Sequence, residues 1–303
     1  MSIFIDRTTK VLVQGITGSE GAFWTKHMID CGTTVVAGVT PGKQGQIVEG
    51  VPVFNTVRAA VAATGADASM IFVPPRLTMD AVMEALDAGI RTIVTVADGI
   101  PLHEAAMIRA AALRFGARIV GGNTSGVISP GQAMMGMFPF WIERVYKPGR
   151  IGVMTRSGSL TNEVTAMVVK GGYGVSSLIG VGGDPIPGSR FAEYLPDFQA
   201  DPDTDAVVII GELGGTMEEE VAEAIRSGSF TKPLVAFIGG RTAPAGKRMG
   251  HAGAISSGGS GSALDKARLL ESVGALVADR PAKVGSLLAT ALSGHRPSAG
   301  GNR

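Results

Sequence analysis

The chain has 303 residues, 45% of them hydrophobic and 17% charged, with a formal net charge of +1. That length suits about two domains with separate cores, and the near-neutral balance excludes a basic field for nucleic acid and a polybasic anchor for a membrane surface. A single cysteine, Cys31, excludes an internal disulfide framework and a cysteine-based zinc cluster. The expected setting is therefore the reducing cytoplasm, with small molecules or protein as partners. MSIFIDRTTK lacks the apolar core of a signal peptide, and no apolar run approaches a bilayer span, so neither export nor insertion is expected.

In chain order, KVLVQ predicts a strand and a helical pattern follows from Gly21 to Cys31. TTVVAGV, ASMIFV, RTIVTV and ARIVGG predict further strands, separated by helices near Val57–Ala63, Thr78–Ala88 and Leu102–Phe115. Short β-branched runs alternating with helical periods imply parallel strands joined by right-handed crossovers, hence a doubly wound α/β sheet. Residues 132–149, containing MMGMFPFWIERVYKPG, break the rhythm and close on Lys-Pro-Gly, which sets the expected boundary of a first domain at residue 145. The apolar surface of that segment reads as core or subunit contact. RIGVMT, VSSLIGV, AVVIIG and PLVAFIG then alternate with helices near Leu160–Lys170, Phe191–Phe198 and Met217–Ser227, a second parallel α/β unit expected over residues 146–292. Two more helices are expected at Ala263–Val273 and Lys283–Leu292, and residues 293–303 read as a disordered tail in which His295 is inert.

The first strand runs into Gly15-Ile16-Thr17-Gly18-Ser19-Glu20-Gly21 and a helix start. Glycines there let backbone amides approach a phosphate at the positive end of a helix. The spacing is G-x-x-G-x-x-G, not the dinucleotide fingerprint, and the bland reading is a tight turn. The next strand ends in Thr40-Pro41-Gly42-Lys43, where an NAD site would place an acidic residue for the ribose hydroxyls. A lysine suits a phosphorylated ribose, which coenzyme A and NADP share.

His251 stands in KRMGHAGAISSGG, one of four histidines and among glycines on almost every side. Such a residue is often a satisfied loop histidine. A nucleophilic one needs one nitrogen free and the other fixed by an acceptor that sets the tautomer. Glu212 follows the apolar run AVVIIG, at the strand edge where ligands bind in such sheets, and is the candidate acceptor. Thr216-x-x-Glu219 reads as a capping box, so Glu218 to Glu220 are expected to stabilise a helix start. Thr155-Arg156-Ser157-Gly158-Ser159-Leu160, between strand and helix, reads as a phosphate cradle. Ser157 lacks the G-x-S-x-G elbow of a hydrolase nucleophile. Gly240 to Lys247 imitates a Walker A loop with one residue too many and Arg248 at the magnesium-binding position, so nucleotide is expected elsewhere. No metal site is expected.

GITGSEG, GVTPGK, VGGDPIPGS, GELGG and RMGHAGAI occur in this order, and with them the chain resembles the alpha subunit of succinyl-CoA synthetase from Met1 to about Leu292. The resemblance implies a Rossmann-like, CoA-binding N-terminal domain and a flavodoxin-like ligase domain. It also implies a separate beta subunit of ATP-grasp fold that holds ATP or GTP with Mg2+. By match to the family, His251 is phosphorylated and Glu212 orients it. Thr17, Gly18, Ser19, Glu20, Lys43, Val96, Ala97 and Asp98 contact CoA, and Ser157, Gly158 and Ser159 cap the phosphohistidine. Phosphate then passes to an organic acid, and CoA attacks the acyl phosphate.

The sequence departs from the succinate pattern at Glu20 (Gln in the family), at Asn123-Thr124-Ser125-Gly126 (Asn-Cys-Pro-Gly) and at Asn162 (Tyr). The last position contacts the acid in the family, and a shorter amide makes room and adds a donor and an acceptor. Asn162 and the Asn-Thr-Ser-Gly run also resemble ATP-citrate lyase. Succinate is thus the default acid, with malate, citrate or a related hydroxylated acid as the alternative. A non-catalytic CoA or NADP sensor is the competing class, against which His251 and Glu212 stand, and an NAD-dependent dehydrogenase fits Lys43 poorly.

Overall fold

The computed structural model describes residues 2–241, 251 and 261–294. The apolar runs become strands because both their faces find cover, as parallel sheets require. Seven strands form the first sheet: β1 (Lys10–Gln14), β2 (Thr34–Val39), β3 (Ile47–Val48), β4 (Val51–Phe54), β5 (Ala68–Ile71), β6 (Thr92–Thr95) and β7 (Arg118–Val120). Their spatial order is β3-β4-β2-β1-β5-β6-β7, all parallel but for the antiparallel β3–β4 edge. From β4 onward this is the Rossmann order, with its switch point between β1 and β5. Helices α1 (Ser19–Cys31), α2 (Val57–Thr64), α3 (Pro75–Asp87) and α4 (Leu102–Phe115) cover it. Thr56 caps α2 through the amide of Ala59, and Pro75 opens α3 at the position that tolerates a missing N–H.

The second sheet comprises β8 (Gly126–Ser129), β9 (Ala133–Gly136), β10 (Pro148–Thr155), β11 (Val175–Gly180), β12 (Ala206–Glu212), β13 (Leu234–Gly239) and β14 (Leu276–Ala278). Its order is β14-β13-β12-β10-β11-β8-β9. Strands β10 to β14 are parallel in the flavodoxin order, with the switch point between β10 and β12. Every residue of β12 is buried. The flanking helices are α5 (Gly158–Lys170), α6 (Phe191–Ala200), α7 (Met217–Arg226), α8 (Ala263–Ser272) and α9 (Val284–Gly294). Ser293 and Gly294, expected in the tail, close α9; His295 lies outside the described residues.

Strands β8 and β9 precede residue 145 in the chain yet join the second sheet, β8 running antiparallel to β11. GVIS and AMMG are too short to show a period, which is why the sequence reading passed over them. They tie the two sheets together. Thr33, after α1, receives the Met134 amide at 2.8 Å and donates to the Met134 carbonyl at 2.7 Å. Val11 and Val13 of the first sheet fall in one apolar cluster with Met134 and Ile179 of the second and with Phe138 just beyond β9. The loops that follow the C-terminal ends of β6, β7 and β11 meet through main-chain hydrogen bonds at Asn123. Among the described residues, no helix is long and apolar enough to cross a membrane.

Candidate functional site

The first sheet presents a cleft at its switch point. Gly15 takes a left-handed φ of +79°, and a side chain at Gly21 would collide with the Gly15 carbonyl, so the glycine spacing lets the loop fold directly onto the start of α1. Gly18, Ser19 and Glu20 line a cleft of about 370 Å³ with Val96 and Met137. The N-cap Gly18 has no side chain to occupy the first amides of α1, which leaves them to an anion. Thr17 Oγ1 lies 3.2 Å from Thr40 Oγ1, Lys43 is exposed on the loop after β2, and Ala97 and Asp98 follow Val96 in the loop after β6 without lining the cleft themselves. Glu20 is turned along its helix by the indole N–H of Trp24 at 3.1 Å. A larger cleft, about 610 Å³ beside Arg150, Gln199 and Lys232, lies at the N-terminal edge of the second sheet, away from every residue singled out by the sequence.

At the switch point of the second sheet, β12 ends on Glu212 and β10 ends in the Thr155–Ser159 turn. Nδ1 of His251 lies 2.8 Å from Oε2 of Glu212. The carboxylate fixes Nδ1 as the protonated nitrogen and leaves the lone pair on Nε2. His251 is titrated upward from the ordinary imidazole value, first by the Glu212 hydrogen bond, against burial and the Arg156 charge that pull it down. Its ring rests on Gly183, where an added Cβ would stand 2.6 Å from the ring Cγ. Asp184 beside it is 5% exposed; burial raises its carboxyl, the Asn123 side chain lowers it, and Asp98 raises it further.

Ser157 is the N-cap of α5 and makes no side-chain cap, so the amides of that helix start are free for an anion. Thr155 holds the turn, receiving the Ser157 amide at 3.1 Å and donating to the Ser157 carbonyl at 3.0 Å. The two sites are joined by main chain: Asn123 N–H donates to Ala97 O at 2.8 Å, and Gly183 N–H donates to Asn123 O at 3.1 Å. The loop after β6, whose Val96 lines the cleft, and the bed of the histidine thus share one short hydrogen-bonded path. Asn162, exposed in the first turns of α5, accepts a hydrogen bond at Oδ1 from the Tyr146 hydroxyl, and Tyr146 is buried in the segment expected to be core or contact.

The capping box expected at Thr216-x-x-Glu219 does not form. Thr216 makes no side-chain cap, because its hydroxyl bonds Glu220 at 3.1 Å and Glu219 turns to Lys266 at 2.9 Å. Glu218, expected only to steady the helix start, is wholly buried and receives the Glu212 amide at 3.1 Å. Lys266 was missed, and Arg156 was read only as part of the phosphate cradle. The signal was present in α8, where Ala263, Lys266, Ala267 and Leu270 share the buried face and a lysine at such spacing demands a buried partner. The Walker-like residues 242–247 and the glycines 250, 253, 258 and 259 lie outside the described residues. No metal-holding cluster of His, Cys, Asp or Glu occurs among the described residues.

Residues 6–99 match the CoA binding domain family, and residues 154–276 match the CoA-ligase family. The first match contains every residue of the α1 cleft expected to meet CoA, and it favours CoA over NADP. The chain is 72% identical over 288 residues to an ADP-forming sulfoacetate-CoA ligase subunit of an Acholeplasma species, covering 95% of this chain and 97% of that one. It is 49% identical over 294 residues to the alpha subunit of the ADP-forming succinate–CoA ligase of Aquifex aeolicus, covering 96% and 95%. Among solved structures, ATP citrate lyase of Methanosaeta concilii in complex with citryl-CoA superposes with a TM-score of 0.87 at 25% identity, over 95% of this chain and 50% of the lyase chain.

Proposed function

The chain belongs to the family of alpha subunits of ADP-forming acid–CoA ligases, and from that premise we propose that it joins sulfoacetate to coenzyme A by way of a phosphorylated His251. The observation that carries the mechanism is the 2.8 Å contact of His251 Nδ1 with Glu212 Oε2. With Nδ1–H held, Nε2 attacks the γ-phosphorus of a nucleoside triphosphate; the N–P bond forms and ADP leaves. An ATP-grasp beta subunit would hold that nucleotide and its Mg2+. A carboxylate oxygen of the acid then attacks phosphorus, the N–P bond breaks, and neutral imidazole returns. The CoA sulfur attacks the carbonyl carbon of the acyl phosphate, phosphate leaves, and the thiol proton goes with it. Dividing the reaction in this way replaces one difficult acylation by easier displacements.

The Ser157–Ser159 amides serve the phosphoryl group as it develops charge. The start of α1, with Thr17 to Glu20, serves the CoA pyrophosphate, Lys43 the ribose phosphate, and Val96 to Asp98 the arm that leads to the sulfur. The choice of acid rests on the 72% relative, against 49% for one named for succinate. The default succinate is therefore replaced by an acid whose distal group is a sulfonate, a tetrahedral anion with three acceptor oxygens and no donor. Asn162 fits this need. Its Oδ1 is engaged by Tyr146, so the amide NH2 is what remains to face a ligand. A hydroxylated acid has weaker support, from the room and polarity of Asn162 and from a likeness to citrate lyase at 25% identity.

The test is the enzyme reconstituted with its beta subunit, assayed for CoA-dependent ADP release with sulfoacetate, succinate, malate and citrate. Sulfoacetate is expected to give the highest kcat/KM; a succinate optimum would overturn the choice of acid. Failure of γ-labelled ATP to leave acid-labile phosphate on His251 would overturn the mechanism.

A further inference from the structure

Behind the His251–Glu212 pair runs a line of buried charges that the steps above do not use. Glu212 Oε1 is 3.3 Å from Arg156 Nη2, and Arg156 Nη1 is 3.5 Å from Glu218 Oε1. The second oxygen of Glu218 accepts from Lys266 Nζ. Lys266 also donates to the Gly215 carbonyl at 3.0 Å and to Glu219 at 2.9 Å. Arg156, Glu218 and Lys266 are 2%, 0% and 1% exposed. These residues come from the end of β10, the start of α7 and the face of α8, so three elements spend buried charges on one line that ends at the histidine. Burying ion pairs is a poor way to gain stability, since apolar pairs of similar volume often do as well or better. Two atoms on the line, Arg156 Nε and Glu212 Oε1, are buried without a hydrogen-bond partner.

We propose that Glu218 and Lys266 are positioning residues for the phosphorylated histidine, acting through Arg156 to set how much of the Glu212 carboxylate is left to the imidazole. This rests on the reading of His251 as the phosphoryl carrier.

The device is the division of one guanidinium between two carboxylates. Arg156 is anchored by Nη1 on the Gly214 carbonyl at 2.8 Å, with Glu212 and Glu218 at similar range on either side. Lys266 neutralises Glu218 and so lets Arg156 lean on Glu212. Without the ammonium, Glu218 draws Arg156 away. Glu212 is then left to the imidazolium alone, and His251 holds its proton to higher pH. Without both charges of the Glu218–Lys266 pair, Arg156 turns wholly to Glu212 and the imidazolium loses its counter-charge. Titration then moves to lower pH. Among the described residues, the other charged groups that act on His251 or its neighbour Asp184 are Asp98 and Asp184 itself, and all variants below leave them in place.

The experiment follows the initial rate of His251 labelling by γ-labelled ATP against pH, in the holoenzyme with its beta subunit. It compares wild type with Lys266→Met, Glu218→Gln/Lys266→Met and Glu219→Gln. The acid limb is expected to rise by roughly half to one pH unit in Lys266→Met and to fall by a similar amount in the double variant. In Glu219→Gln, Lys266 serves Glu218 alone and the limb falls by less. Shifts of opposite sign are what a merely structural pair cannot produce. Profiles that coincide with wild type, with only thermal stability altered, overturn the proposal. Should Lys266→Met fail to fold, the double variant, which strands no buried charge, and Glu219→Gln, at a partly exposed position, decide it alone. A labelled wild type with unshifted variants overturns the relay only; an unlabelled wild type overturns the phosphohistidine reading and the relay with it.

Discussion

Nδ1 of His251 and Oε2 of Glu212 stand 2.8 Å apart although 39 residues separate them in the chain. The contact exists because β12 delivers Glu212 to the switch point of the second sheet and Gly183, after β11, gives the ring a flat bed. Removing either partner separates two roles. His251→Ala is expected to abolish phosphate incorporation from γ-labelled ATP. Glu212→Gln keeps an acceptor but loses the charge that fixes the tautomer, and labelling should slow by up to about 10⁴-fold, the loss seen when the orienting carboxylate of a catalytic histidine is neutralised. Equilibrium dialysis should find CoA binding unchanged in both.

The same hydrogen bond sets a pH dependence. Its sign follows from the upward displacement of His251, caused first by Glu212. The nucleophile is the neutral ring, so the labelling rate should fall on acidification through a midpoint above the ordinary imidazole value of 6.5. In Glu212→Gln the midpoint should move down. Stability runs the other way: the ion pair's contribution is fully present below the unfolded value and is lost as pH rises through the folded one. The Tm difference between wild type and Glu212→Gln should therefore shrink on going from pH 6 to pH 9, as calorimetry at about those two values can show.

Tyr146 and Asn162 give a prediction about the acid. The tyrosine is 4% exposed and its hydroxyl holds the Asn162 carbonyl oxygen, which aims the amide donors. Tyr146→Phe should free that amide and raise KM for sulfoacetate by about 2- to 10-fold, the worth of one ordinary hydrogen bond. Asn162→Tyr should shift preference toward succinate. KM for CoA is the control and should not move.

Lys43 tests the ribose-phosphate assignment. It is exposed on the loop after β2, so its loss should not disturb the fold. Lys43→Ala should raise KM for CoA by about 5- to 10-fold, in keeping with a charge-assisted contact. Dephospho-CoA, which lacks the phosphate in question, should bind wild type and variant alike; a difference that persists with dephospho-CoA would place Lys43 elsewhere on the ligand.

Much of this was legible in the sequence, and the reasons differ by element. The β-branched runs of β1, β5, β10 and β12 announced two doubly wound sheets, because strands buried on both faces must be apolar throughout. Glu212 was legible as a strand-end carboxylate, and the glycine loop before α1 as a helix start open to anions. Strands β8 and β9 were not, since four residues cannot show a period, and β11, the strand that β8 pairs with, lies some 50 residues onward in the chain. Glu218 and Lys266 were misread or missed for another reason. A charged residue is ordinarily placed in water, and only the packing of α7 against α8 reveals that these two face each other. The Asn162–Tyr146 contact crosses from linker to helix, a meeting that no local pattern encodes.

Gly183 offers a test of geometry without charge. An added Cβ there would reach 2.6 Å from the His251 ring, closer than any real contact of that kind, so the ring must move. Its backbone is not left-handed, and alanine is otherwise acceptable. Gly183→Ala should therefore fold, with a Tm within a few degrees of wild type, and bind CoA normally, because the cleft beside α1 is untouched. Labelling of His251 should nonetheless drop by at least about 100-fold, the scale of loss expected when a reacting group is displaced by an ångström. If the variant were labelled at the wild-type rate, the ring would have to work from some position other than the one resting on Gly183, and the role assigned to its contact with Glu212 would fail with it.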